Sequence, residues 1–512
     1  MSHDHLLWTN AVDRLLRSGH AGLERHLFLG HRYFGGLPYL LPDARDNPHV
    51  WVMGGPGTGK SSRVLAPLVA QHVALGDSVL VLDPKPDLPL LWSCHADCHH
   101  HGVPFRHVSI TPGTWSYVFP PLAQSHAAAQ TVAARAEVLI QALNLDHGVQ
   151  YGGSYYTAMD ELFAVAVFSL FPDARTPEAV ARAVEDSPAL KRAIGERAFD
   201  DSSHVRAIFA KLAAVTPFNP VPGGPGFSPP VLEAAVDLRQ LFYAPQVVYF
   251  ALDAQQLRTS TRAALGLGFY NLLAAAKHVG PRPPVRVVCV LDEAQEAVGP
   301  NLSILLEQSR SMGIRLILAH HSLEQLRRAD GDYRGTFEEC TGLHVVFNPV
   351  ATTTRRWLEE TSGQRVYTTL GWQQDLLPST DPWAGDQFRP DRARRTLFDF
   401  PTVSVGERLG PVWDQTTLMR LSAEAGVAWV RLARNRHYAR DDGQWVPVRM
   451  PFHVSPKTYA DRSAYGWPGP NGQTVRVERD PPYDRRHRPP SSRPAPLPAH
   501  TREALRRLRG QP

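Results

Sequence analysis

Gly54-Gly55-Pro56-Gly57-Thr58-Gly59-Lys60-Ser61 is the stretch on which the fold turns. It fits the pattern G-x-x-x-x-G-K-[ST] and follows an apolar run of strand length, His49-Val50-Trp51-Val52-Met53. A strand, a glycine-rich turn and a helix start form the context in which this pattern cradles phosphate. The glycines let successive backbone N–H groups face one anion, and the positive end of the next helix adds to the attraction. Gly54, Gly55, Pro56, Gly57, Thr58, Gly59, Lys60, Ser61 and Ser62 are therefore the candidate nucleotide cradle. Lys60 is expected to reach the β- and γ-phosphates of ATP, and the Ser61 hydroxyl to ligate Mg²⁺. Of the 54 basic residues only six are lysine. A lysine kept here, where a compact ammonium is needed in place of a planar fork, argues against a chance match.

Outward from this loop the chain reads as α/β. Arg63 to Leu75 is spaced as an amphipathic helix ending near Gly76, and Ser78-Val79-Leu80-Val81-Leu82 is a buried strand that stops at Asp83-Pro84. That order begins a parallel sheet. From 123 to 232 the segments turn alanine-rich with helical spacing, which predicts an inserted all-α domain. The α/β rhythm then resumes, with strands at Gln246–Leu252, Val285–Leu291, Ile314–Ala319 and Leu343–Phe347 and a helix from Ser260 to Lys277. Two helices near Ala351–Thr361 and Asp414–Ala423 precede a last strand at Ala428–Leu432. The expected organisation is a lead-in (1–47) with helical spacing followed by turns, an α/β core (48–122 and 233–435) holding the insert (123–232), an extension (436–463) and a tail (464–512). The tail is dominated by Pro, Arg and Ser and is expected to be disordered.

Val287-Val288-Cys289-Val290-Leu291-Asp292-Glu293 is an apolar strand ending in two carboxylates. Downstream of a phosphate loop, the first acid is placed to hold Mg²⁺ through its water shell, and the second to orient or deprotonate an attacking water. Next come Leu305-Leu306-Glu307-Gln308-Ser309-Arg310-Ser311-Met312-Gly313-Ile314, a strand to Ala319, and His320-His321-Ser322. With Asp83-Pro84-Lys85, Ser116-Tyr117-Val118-Phe119-Pro120-Pro121-Leu122 and Gly342-Leu343-His344-Val345-Val346-Phe347-Asn348, this series resembles the type IV secretion coupling proteins. These are the TraD/TraG-like conjugative DNA-transfer ATPases of the HerA/FtsK superfamily, and the resemblance covers roughly residues 28 to 435.

The resemblance implies a RecA-like P-loop NTPase fold with a mainly parallel sheet and an inserted helical domain. It also implies a ring hexamer that moves DNA, with ATP and Mg²⁺ bound between subunits. Arg310 falls where the family carries an arginine that reaches a neighbour's γ-phosphate; as a sequence feature alone, it equally fits a solvated helix arginine. Two departures stand out. The strand that usually ends in a glutamine sensor ends here in His320-His321, with His321 the better match, and an imidazole cannot present both amide functions at once. The family's usual N-terminal membrane helices are not seen, so the resemblance implies a cytoplasmic protein brought to the inner face of the membrane by an anchored or relaxosome partner. A soluble HerA-like DNA-processing or defence translocase, and a nucleotide-switched adaptor with little turnover, remain as alternative readings.

Composition bounds these readings. At 512 residues the chain exceeds what one core carries, and no apolar run approaches the roughly 18 residues of a membrane helix. Four scattered cysteines point to reduced thiols. From 476 onward ten arginines face four acids, so the tail is +6 and the rest of a chain of total charge +5 is −1. Electrostatic attraction to nucleic acid must then come from the tail or from local patches. Cys94-His95-Ala96-Asp97-Cys98-His99-His100-His101 has ligand-like spacing, but its place after Asp83-Pro84-Lys85 favours a solvated surface helix. Tyr151-Gly152-Gly153-Ser154-Tyr155-Tyr156 offers aromatic faces for bases, with packing inside the insert the preferred reading.

Overall fold

The computed structural model describes residues 26–42, 49–111, 114–145, 153–185, 187–219, 235–328, 331–373, 402–432 and 443–468. The helical pattern near Leu6 and the arginine-rich tail beyond 468 lie outside them. The strands in chain order are β1 (His26–Arg32), β2 (Pro38–Pro42), β3 (His49–Met53), β4 (Ser78–Asp83) and β5 (Phe105–Ser109). They continue with β6 (Val247–Ala251), β7 (Val287–Leu291), β8 (Ile314–His320), β9 (Arg327–Arg328) and β10 (Gly331–Asp332). The last are β11 (Thr341–Phe347), β12 (Gln364–Gln373), β13 (Thr402–Pro411), β14 (Val427–Leu432) and β15 (Trp445–Arg449).

Eleven of these form one sheet in the order β2-β1-β15-β14-β11-β3-β8-β7-β4-β6-β5. From β11 to β5 every pairing is parallel, and from β11 to β2 every pairing is antiparallel. The parallel strands are apolar throughout because both faces are covered. In β3, Trp51 and Met53 enter the core shared with the helical insertion. Val50 and Val52 enter the core beneath helices Ala66–Leu75 and Leu88–His101. Truncating a fully buried side chain such as Trp51 to alanine costs about 3–5 kcal/mol.

The chain leaves the sheet after β5 and returns at β6. Between them lie helices Val132–Ala142, Gly153–Leu170, Pro177–Val184, Pro188–Ile194, Glu196–Asp201 and Ser203–Ala213, with no strand among the described residues. Thr131, Thr176 and Ser187 cap three of them by accepting backbone N–H groups. Helix Arg258–Val279 ties the insertion to the sheet and crosses Val132–Ala142 so closely that a Cβ on Gly266 would lie 1.7 Å from the Ala142 carbonyl oxygen. Among the described residues, no helix is long and apolar enough to cross a membrane.

Three expectations are corrected. Residues 26–42 of the lead-in form the β1–β2 hairpin rather than turns. Its register shifts between Phe28 and Gly30, which breaks the simple alternation a strand shows. The strand at Val427–Leu432 is not the last, because β15 follows and fills the place between β14 and β1. Between the two predicted helices stands a ribbon, β12 paired with β13 over ten residue pairs and outside the main sheet. Val366, Val405 and Leu409 are exposed on it, so no core-facing period marked it in the sequence.

Candidate nucleotide site

β3, β8 and β7 are neighbours and run parallel, so their C-terminal ends meet on one edge of the sheet. That topology brings Lys60, His321 and Asp292–Glu293 together from positions up to 261 residues apart. Ser61 Oγ donates to Asp292 Oδ2 at 3.0 Å, and Lys60 Nζ donates to the Gly54 carbonyl at 2.7 Å. The loop needs its glycines. Gly59 sits at φ +100°, and a Cβ on Gly54 would come within 2.7 Å of Thr58 Oγ1 and 2.9 Å of Phe347 Cβ. The helix that follows opens with a wide π-turn, Ser61–Leu65, and continues as Ala66–Leu75 to a left-handed Gly76.

His321 lies 3.1 Å from Lys60 Nζ through Nδ1 and 3.0 Å from Glu293 Oε2 through Nε2. An ammonium only donates, so Nδ1 accepts, and the remaining proton on Nε2 donates to the carboxylate. Contrary to the expectation that an imidazole cannot serve both amide functions, the two ring nitrogens of His321 face the loop lysine and the second acid of the pair at once. Glu293 itself sits at φ +53° and also accepts from the Gln295 amide. The backbone N–H of His321 donates to Gln325 Oε1 at 2.8 Å. His320 points the other way, fully buried, accepting from the Trp51 indole and stacked on that ring. Burial pushes its pKa down to about 3.

The two acids differ sharply. Burial, reinforced by neighbouring Glu293, raises Asp292 to about 6. Burial also acts upward on Glu293, but hydrogen bonds from His321 and Gln295 and the charge of Lys60 outweigh it and bring Glu293 to about 2. Burial depresses Lys60 against the pull of both carboxylates. Behind Asp292 lies Asp83, fully buried, accepting from the N–H groups of Lys85 at 3.0 Å and Asp87 at 2.8 Å and from the Tyr249 hydroxyl. Burial and the nearby Asp292 push Asp83 well above the usual carboxylate range.

Arg310 is not part of this cluster. It lies exposed in the turn Ser309–Met312 before β8, at the opposite edge of the sheet, about 20 Å away along a seven-residue strand. Buried His49 pins that turn, through contacts to the Leu306 carbonyl at 3.0 Å and Ser309 Oγ at 3.2 Å.

The Cys94–His101 segment departs from the solvated helix expected of it. Cys94 and Cys98 are fully buried in the apolar core, His101 is buried, and His95 packs edge-on against Trp92 and Phe105. Only His99 is exposed. Among the described residues, no group of three or more His, Cys, Asp or Glu is arranged to hold a metal. The tyrosines of the insert also differ from expectation. Tyr155 and Tyr156 are 38% and 46% exposed rather than packed inside.

Sequence reading missed Gln295, whose signal was its place two residues past Glu293. It also missed Asp87 and Tyr459, whose hydroxyl donates to Asp87 Oδ2 at 3.2 Å across 372 positions, with no local signal at all.

Residues 286–376 match a family model described as the TraM recognition site of TraD and TraG. Among solved structures, the bacterial conjugative coupling protein TrwBΔN70 in its unbound form is similar over 86% of this chain and 91% of its own, with a TM-score of 0.53 and 13% identity. The chain has the fold of the conjugative coupling proteins. The plasmid coupling protein TrwB in complex with ADP and Mg²⁺ matches over 83% of this chain and 90% of its own, at a TM-score of 0.53 and 12% identity. TrwB with the ATP analogue ADPNP matches over 82% and 89%, at 0.52 and 13%. No curated protein matches the chain in sequence. The resemblance read from the motif series is borne out, and with it the RecA-like sheet and inserted helices of the coupling-protein fold.

Proposed function

We propose that this chain is an ATP-hydrolysing motor that moves DNA, working as a ring hexamer whose sites lie between subunits. The observation that carries the reading is the meeting of Lys60, Ser61, Asp292, Glu293 and His321 on one sheet edge while Arg310 stands on the other. A site complete except for a cation too distant to serve in the same subunit is the arrangement a neighbour would complete. The TrwB complexes with ADP and Mg²⁺ and with an ATP analogue support the choice of nucleotide. The fold division is read the same way, with a motor at 48–122 and 233–435 and the insert at 123–232.

The donor set fits a hard cation, since Ser61 Oγ and Asp292 Oδ2 are already 3.0 Å apart. Ser61 and Asp292 would hold Mg²⁺, which supplies neutralisation of phosphate charge. Backbone N–H groups between Gly57 and Ser62 bind the phosphate chain, and Lys60 moves its ammonium from the Gly54 carbonyl to the β/γ-phosphates. Glu293, ionised at neutral pH, orients the attacking water and accepts its proton. His321 holds Glu293 in place and faces the γ-phosphate. Arg310 of one subunit adds positive charge to the transition state in the next.

The match to the TraM recognition site supports a relaxosome protein as partner, and that partner or an anchored one would bring the chain to the inner face of the membrane. A second reading, a nucleotide-switched adaptor, draws on Glu293 being held by both His321 and Gln295. ATP turnover measured with and without DNA separates the two. The motor requires turnover that DNA stimulates and that Lys60→Ala abolishes, whereas nucleotide binding without turnover favours the adaptor.

A further inference from the structure

After β15 the chain turns back across the start of the phosphate-loop helix. Residues 450–468 form a strap over that turn and over helix Leu88–His101. The backbone N–H of His453 donates to the Ser62 carbonyl at 3.2 Å, and the Arg63 guanidinium donates to the Met450 carbonyl. Further on, His453 Nε2 meets Asp97 Oδ2 at 2.9 Å, Arg462 Nη1 donates to Ser93 Oγ at 2.6 Å, and Trp92 Nε1 donates to the Gly466 carbonyl at 2.9 Å. The strap is thus fastened at both ends, and its first residues are set against Ser62.

In a phosphate loop the chain of phosphates runs from γ at the lysine to α at the first turn of the helix, so the nucleoside departs beside the residue after the Mg²⁺-binding serine. Here that residue is Ser62, and the strap lies beside it. Phe452 is half-buried, with the Arg63 guanidinium 4.0 Å over one face of its ring. A partly exposed ring backed by a cation on one face can serve as a stacking platform for a nucleobase. Arg63 is itself fixed three residues after Lys60, so platform and phosphate cradle form one rigid unit.

We propose that the strap supplies the nucleobase subsite of this NTPase, with Phe452 as the stacking face, Arg63 as its backing, and the His453–Asp97 pair as the fastening that holds Phe452 in place. A ring face reads no base edge, so the subsite accepts adenine and guanine alike. This rests on the nucleotide-binding reading of residues 54 to 62.

The test compares binding of ATP and of inorganic tripolyphosphate, each with Mg²⁺, to the full chain and to Phe452→Ala and Phe452→Leu. Both variants are expected to bind ATP and GTP about ten-fold more weakly, the scale of one lost base–aromatic stack, while tripolyphosphate binding is unchanged. Phe452→Trp is expected to keep the wild-type affinity. An unchanged ATP affinity in both variants overturns the proposal. An equal loss for ATP and tripolyphosphate also overturns it, because the strap is then only a brace for the loop. A wild-type chain that binds neither ligand refutes the nucleotide reading itself.

Discussion

The phosphate-loop edge of the sheet and the helix Leu88–His101 are both dense in reactive side chains, and the fold treats them in opposite ways. Lys60, Asp292, Glu293 and His321 are scattered over 261 residues of sequence, yet parallel strand order sets His321 3.1 Å from Lys60 and 3.0 Å from Glu293, with Asp292 3.0 Å from Ser61 beside Lys60. Cys94, His95, Cys98, His99 and His101 sit within eight residues, and the helix disperses them. Its thiols go into the apolar core, one imidazole packs on aromatic rings, and another faces solvent. Spacing along a chain says which face a side chain takes, whereas topology says what stands opposite it.

The largest effect that tests this contrast is at the strand ends. Lys60→Ala and Glu293→Gln should each lower ATP turnover by about 10³ or more, measured as phosphate release under saturating Mg²⁺-ATP. Arg310→Ala should cost about 10³ in turnover while leaving nucleotide affinity unchanged. Mixing Arg310→Ala with Lys60→Ala subunits should restore part of the rate, because each lacks what its neighbour carries. A rate that stays flat on mixing places Arg310 outside the site.

His321→Ala should lower turnover by about ten- to a hundredfold, since it removes one positioning hydrogen bond from Glu293. His321→Gln should stay close to wild type, because an amide both accepts from Lys60 and donates to Glu293. The smallest expected effect belongs to the cysteine helix. Cys98→Ser buries a hydroxyl in an apolar core and should cost about 1–3 kcal/mol in unfolding free energy, with zinc chelation leaving the nucleotide-free unfolding curve where it was.

The glycine pattern at 54 to 59, the strand before it and the Asp292–Glu293 strand end made the sheet core and the acid pair legible in sequence. Each is a local signal, carried by backbone conformation or by a run of apolar residues. His321 was legible only as a departure from an expected glutamine. What it does depends on tautomer and distance, which require the folded site: its two nitrogens face two different partners, so one imidazole serves both Lys60 and Glu293. The β12–β13 ribbon went unread because none of its described side chains is buried. The strap went unread because its partners, Ser62, Asp87 and Ser93, lie more than 360 positions away.

The most direct test of the account is the ATP hydrolysis rate of the full chain, sized as a ring, with and without single- and double-stranded DNA. Turnover is expected to rise severalfold with DNA and to disappear in Glu293→Gln. Turnover in the assembled ring that is indifferent to either form of DNA would contradict it.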